Sequence, residues 1–142
     1  MFAKTFEKFS YTSAGISTFL LLGISYYYTT LDINWSLFES KIINGILIFG
    51  ALMLSNYAID TVTRQLTIER SNRNAYHLLL YPLTVMSYPV ESIDMRFILS
   101  SAAIWAAWRN VRIFFELTNN TKKIKRLFDS SVLLSFSSLI IV

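Results

Sequence analysis

His77 is the only histidine in the chain. A lone imidazole can act as a general base or as one metal ligand, but either role needs further groups beside it. Its neighbours Tyr76, Leu78 and Leu79 supply none, so His77 reads as a structural or surface residue. Glu91 and Asp94 are close enough to share acid–base work, yet no nucleophile or ligand set stands near them. They read as solvated polar positions. There is no cysteine, which excludes disulfides, thiolate metal sites and thiol catalysis within the chain. With four Gly, no phosphate-cradling loop is present. Catalysis, a cofactor, a metal site and a small-molecule substrate are therefore not expected. The densest charge is the basic cluster Lys122, Lys123, Lys125 and Arg126. Such a cluster suits anionic lipid headgroups, at about 1 kcal/mol per basic residue near the surface, or a partner protein. The competing interpretation is the solvated face of a helix. The net charge of +4 is spread among carboxylates, which does not make a nucleic-acid footprint.

The elements that must position these residues begin with two long uncharged stretches. Phe9 to Leu31 holds 23 uncharged residues, and Ile42 to Ile59 holds 18. About 20 apolar residues cross a hydrocarbon core of about 30 Å as a helix. Residues 1–60 thus read as a transmembrane helical hairpin with spans at about 12–29 and 43–59. The first span is expected to stay in place as an anchor. Tyr26, Tyr27 and Tyr28 close it, and Trp35 lies in the following loop; these amphipathic rings suit the headgroup level. Small residues in both spans suit close helix approach in lipid, and Asn56 stands either in a hydrogen bond to the first helix or in the headgroup zone. Neither span carries an internal ionisable residue, which argues against a transporter or proton channel. The loop between the spans is acidic, and the flanks on both sides of the hairpin are basic. Positive flanks stay on the side of synthesis, so both termini are expected on one side, the matrix in a mitochondrion.

After Asp60 the pattern shortens. Thr61 to Arg70 alternates apolar or β-branched with polar residues, the period of a strand. SNRN at 71–74 has turn composition, and Ala75 to Tyr81 can return as a second strand before Pro82 interrupts it. Tyr88 to Met95 and Asn110 to Leu117 supply a third and a fourth strand. Thr118, Asn119 and Asn120 make a turn. Thr121 to Asp129 reads as a short basic helix. The expected fold is a membrane α+β protein, in which 61–142 form a small antiparallel β-rich module on the matrix side with an apolar C-terminal tail. Two uncharged segments do not fit such a sheet: Phe97 to Trp108, and Ser130 to Val142. Each is too short to span. Trp105, Trp108 and Phe136 within them are expected to meet lipid or a partner chain.

Four short motifs carry a family resemblance: TRQLTIERSNRNAYHLLLY directly after the second span, then YPVESID, RIFFEL and KRLFDSSV. In this order the chain resembles the mitochondrial inner-membrane family of transmembrane proteins 223, 186 and 70, closest to the 223 branch, over roughly residues 10–135. It departs from that family in its apolar segment at 97–108 and its apolar tail. The resemblance implies a non-catalytic accessory subunit of a respiratory-chain complex, cytochrome c oxidase first among them. An assembly factor for a respiratory complex or ATP synthase, or a subunit of ATP synthase or complex I, is the alternative. The partners implied are membrane subunits of that complex and phospholipid, cardiolipin included. From another class, a bacterial-type membrane protein with a lipid-binding, pleckstrin-like module also suits the pattern.

Overall fold

A computed structural model describes residues 5–7, 9–30, 38–66, 75–88 and 94–141. These residues form α1 (Tyr11–Thr30), α2 (Lys41–Leu66), α3 (Tyr76–Met86), α4 (Met95–Glu116) and α5 (Asn120–Ile141). No strand occurs among the described residues. The α+β expectation is therefore corrected: the described part of 61–142 is helical, and there is no β-rich module to follow the hairpin. A pleckstrin-like module falls with it.

The strand expectations fail for identifiable reasons. Thr61 to Leu66 simply extends α2. Thr61 Oγ1 donates to the Tyr57 carbonyl at 2.9 Å and Thr63 Oγ1 to the Ile59 carbonyl at 2.9 Å, so the β-branched side chains satisfy their hydroxyls on the helix itself. Ala75 to Tyr81 lies almost wholly in α3, which continues through Pro82 to Met86. Proline removes one helical N–H, but Pro82 is buried in packing that holds the helix. Asn110 to Leu117 belongs to α4 up to Glu116. A strand would put Val111, Ile113 and Phe115 on one face. On the helix they diverge, and Phe115 is 71% exposed while the other two are half-buried. The remaining strand and turn residues, 67–74 and 89–93, lie outside the described residues, as does Trp35. The basic helix expected over 121–129 is present and runs on to Ile141.

Local signals set the helix starts. Ser10 and Ser13 form a reciprocal cap at the head of α1: Ser10 Oγ accepts from the Ser13 amide at 3.1 Å, and Ser13 Oγ from the Ser10 amide at 3.0 Å. Asn44 closes the turn before α2 by donating to the Phe38 carbonyl and accepting from its amide. Asp94 caps α4 by accepting from the Arg96 amide at 2.9 Å, and its other oxygen lies 2.7 Å from the Arg96 guanidinium. Partial burial works against ionisation of Asp94, but the Arg96 hydrogen bonds and charge outweigh it, so the carboxyl lies below its usual range.

Contacts between helices give the topology. Asn56 Nδ2 on α2 donates to Ser17 Oγ on α1 at 3.1 Å, and Ser25 Oγ on α1 donates to the Gly45 carbonyl at 2.8 Å. The two helices are thus antiparallel. A Cβ on Gly45 would sit 3.0 Å from the Thr29 methyl, so this glycine permits the close approach. His77 meets Asp60, and the Tyr28 hydroxyl donates to the Val85 carbonyl at 2.8 Å, which sets α3 antiparallel to α2. The Arg109 guanidinium stacks over the Tyr57 ring at 5.1 Å, while Met95 and Ile98 pack with Ile48 and Leu52. Hence α4 runs parallel to α2. Ser100 and Ser137 bond across α4 and α5 at 2.6 Å, and Arg126 donates to Asn110 at 3.1 Å, so α5 returns antiparallel. The start of α1 and the end of α5 therefore lie at opposite ends of the bundle. The apolar segments 97–108 and 130–141 lie side by side.

Burial on the last hairpin is inverted. In α5 the buried residues are Ser130 and Ser137, at 3% exposure each. Ile124, Phe128, Val132, Leu134, Phe136 and Leu139 face outward. In α4 the buried face includes Ser100, Ala103, Ala107 and Asn110, while Phe97, Ile104 and Trp108 face outward. Helices in water do the reverse; helices in lipid pack through small residues.

Two outcomes follow for stability in detergent, read by thermal unfolding. Ser137→Leu should cost about 1–3 kcal/mol by overpacking the α4–α5 contact, whereas Ser137→Ala should cost only about 0.6 kcal/mol. Asp94→Ala should cost about 1 kcal/mol. Because its folded pKa is depressed, the Asp94 contribution is present above the unfolded value near ~3.9 and is lost as pH falls through the folded value; the stability difference between the variant and the parent should shrink as acid protonates Asp94.

Candidate functional site

Leu117, Thr118 and Asn119 connect α4 to α5. Asn119 Oδ1 accepts from the Thr121 amide at 2.9 Å and so starts α5. This places Lys122, Lys123, Lys125 and Arg126 in its first two turns. Lys122 and Lys125 are exposed. Lys123 Nζ stands 5.6 Å from the centre of the Phe114 ring, a cation–π contact that turns its charge toward the end of α4. Arg126 reaches Asn110. The four expected basic residues are thus brought together around the α4–α5 turn. Arg109 and Arg112, near the end of α4, lie at the same level of the bundle, and Arg109 turns toward α2. Their Nε atoms are buried and find no acceptor, although the Arg109 guanidinium is stacked on Tyr57.

The expected aromatic residues separate. Trp108 is 54% exposed and Phe136 is 55% exposed, both on the outer surface of the last hairpin. Trp105 turns the other way. It lines a cleft of about 230 Å³ with Tyr28, Leu52, Tyr81, Val85 and Phe97, between α2, α3 and α4. No charged residue lines that cleft, so it suits an apolar chain and offers no acid–base chemistry. The tyrosine triplet divides likewise: Tyr26 and Tyr27 face outward, and Tyr28 is buried.

Sequence patterning missed one polar pair. Asp60 and His77 are both nearly buried, with His77 Nε2 3.0 Å from Asp60 Oδ1. The signal was a carboxylate at the end of an apolar run and a single histidine one short segment later. A buried carboxylate calls for such a partner. Among the described residues no three of His, Asp and Glu stand close enough to hold a metal. The pair joins α3 to α2.

Removing the imidazole partner should therefore act on stability. His77→Ala is expected to cost about 1–3 kcal/mol, the range for a buried group left short of a hydrogen bond; unfolding in detergent measures it. No protein-family model matches the chain, and no curated protein or solved structure matches it.

Proposed function

We propose that the chain is a non-catalytic subunit embedded in a membrane, where its outer faces pack on lipid and on neighbouring membrane proteins. The observation that carries this reading is the burial along α4 and α5: Ser100, Ala103, Ala107, Ser130 and Ser137 lie inside, while Phe97, Trp108, Phe128, Phe136 and Leu139 lie outside. Large apolar side chains held in water over this much surface would aggregate. Residues Lys41–Thr63 of α2 add a segment of 23 residues, long enough to cross a bilayer, that contains an 18-residue window with a mean hydropathy of 1.8. It is the one described helix that meets that standard. α1 is uncharged throughout and pairs with it.

The setting is the one the family resemblance implies, an accessory subunit of a respiratory-chain complex in the mitochondrial inner membrane, with cytochrome c oxidase favoured. The basic α4–α5 turn and the start of α1 then face the matrix, following the rule that positive flanks stay on the side of synthesis. The end of α5 lies at the opposite end of the bundle, so this reading gives up the expectation that both termini share the matrix side and keeps only the start of α1 there. An assembly factor is the second reading, because it needs the same embedded, partner-facing surface.

Three measurements test this. The chain should remain in the membrane fraction after alkaline carbonate extraction, and release into the supernatant would contradict the embedding. On native gels it should co-migrate in stoichiometric amount with a mature respiratory complex; presence only in intermediates would favour the assembly factor, and migration with no respiratory partner would remove the setting. A double substitution on the outer surface, Phe136→Glu with Leu139→Glu, should lower incorporation severalfold while leaving the Ser100–Ser137 contact in place, since both residues point away from it.

A further inference from the structure

The basic level of the bundle has a more specific partner than lipid in general. Six cations stand at the end where α4 meets α5: Arg109 and Arg112 on α4, and Lys122, Lys123, Lys125 and Arg126 on α5. Among the described residues none of the six has a carboxylate within salt-bridge distance; ion pairs seen in the bundle include His77 with Asp60 and Arg96 with Asp94. The carboxylates nearest in sequence at the same level are Glu116 and Asp129, so the cations are in excess. Immediately beyond them along both helices the surface becomes uncharged, from Trp108 back to Phe97 on α4 and from Ser130 onward on α5. That uncharged slab is about 18 Å tall at 1.5 Å per residue, and its outward residues are apolar. A ligand that fits must carry negative charge at one end and hydrocarbon directly beneath it.

We propose that the first two turns of α5 bind the phosphate headgroup of an anionic phospholipid, whose acyl chains lie on the outer face of α4 and α5. Lys122 and Lys125 are exposed and free to meet the headgroup. Lys123 and Arg126 are held by Phe114 and Asn110, so their charges are already placed before a lipid arrives. Trp108 and Phe128, both exposed, lie one to two turns deeper, where the chains would begin. This inference rests on the membrane-embedded reading and goes further by naming the lipid class.

The test uses the full chain reconstituted in bilayer nanodiscs, with bound lipid counted by native mass spectrometry. Discs contain either phosphatidylcholine alone or phosphatidylcholine with a tenth of an anionic phospholipid. The parent chain should retain the anionic lipid in preference to phosphatidylcholine, and raised salt should weaken that preference. The fourfold variant K122Q/K123Q/K125Q/R126Q should lower it by roughly three orders of magnitude. K122Q/K125Q should lower it roughly thirtyfold; it alters only exposed side chains without internal partners, so its fold is preserved. Equal retention of both lipids by the parent chain, or no change in K122Q/K125Q, overturns the proposal. Displacement of the lipid by millimolar inorganic phosphate also overturns it, because the site would then recognise free phosphate without the chains. A chain that fails to insert into the discs contradicts the embedded reading instead, which keeps the two failures distinct.

Discussion

Ser100 and Ser137 stand with their hydroxyl oxygens 2.6 Å apart, both shut away from the surface, and the Ser137 hydroxyl also reaches the Ser100 carbonyl at 3.3 Å. Much of the remaining structure depends on this contact. Two helices that meet through serines and alanines can approach closely, and each must then turn its large side chains outward. In water that arrangement would be unfavourable, since burial of apolar surface is worth about 25 cal/mol per Å² and here much of it is forgone. In hydrocarbon the outward residues lose nothing, while a polar group left facing lipid would be costly. The same logic recurs on the first hairpin, where Ser17, Ser25, Ser55 and Asn56 are buried and Phe19, Ile42 and Ile46 are exposed. The core of the molecule is a polar and small-residue seam joined to a modest apolar cluster around Leu21, Ile48, Leu52 and Met95.

That seam explains the order of the helices. Each cross-helix hydrogen bond fixes a register: Ser17 to Asn56, Ser25 to Gly45, Tyr28 to Val85, Asp60 to His77, Ser100 to Ser137. These bonds align α1, α2 and α3 with one another and α4 with α5; the packing of Met95 and Ile98 on Ile48 and Leu52, with Arg109 over Tyr57, joins the two groups, and the alternating direction then gathers the turn between α4 and α5 with the start of α1. Charge follows the same division. The cations of late α4 and early α5 collect at one end, and the Asp94–Arg96 pair lies at the other. An ion pair there contributes little net charge, so the asymmetry belongs to the basic end.

The first half of the molecule was legible because absence of charge is a robust signal. Spans read at 12–29 and 43–59 fall within α1 and α2, and one of the two roles considered for Asn56, a bond to the first helix, is the one observed. The second half was misread because period-two alternation over eight residues does not distinguish a strand from one side of a longer helix. Val111, Ile113 and Phe115 matched the strand pattern, but the cap at Asp94 begins a helix that carries them along regardless. Treating 97–108 and 130–142 as separate, short apolar segments hid the fact that each is half of a 22-residue helix. The spacing of Ser130 and Ser137, two turns apart, was the available clue to a shared buried face. Trp105 and Trp108 differ by three positions and diverge, one into the cleft and one to the surface, which no composition argument separates.

The central claim is that the outer face of α5 lies in hydrocarbon while its serine face lies against α4. Because the chain has no cysteine, single cysteines can be introduced one at a time from residue 128 to 139, spin-labelled and studied by electron paramagnetic resonance in bilayers. Collision with molecular oxygen, which dissolves in lipid, and with a nickel chelate, which stays in water, then reports the surroundings of each position. Labels at 132, 136 and 139 should collide with oxygen and not with nickel, and labels at 130 and 137 should collide with neither. Strong nickel collision at 136 and 139, or free access at 137, would contradict the account.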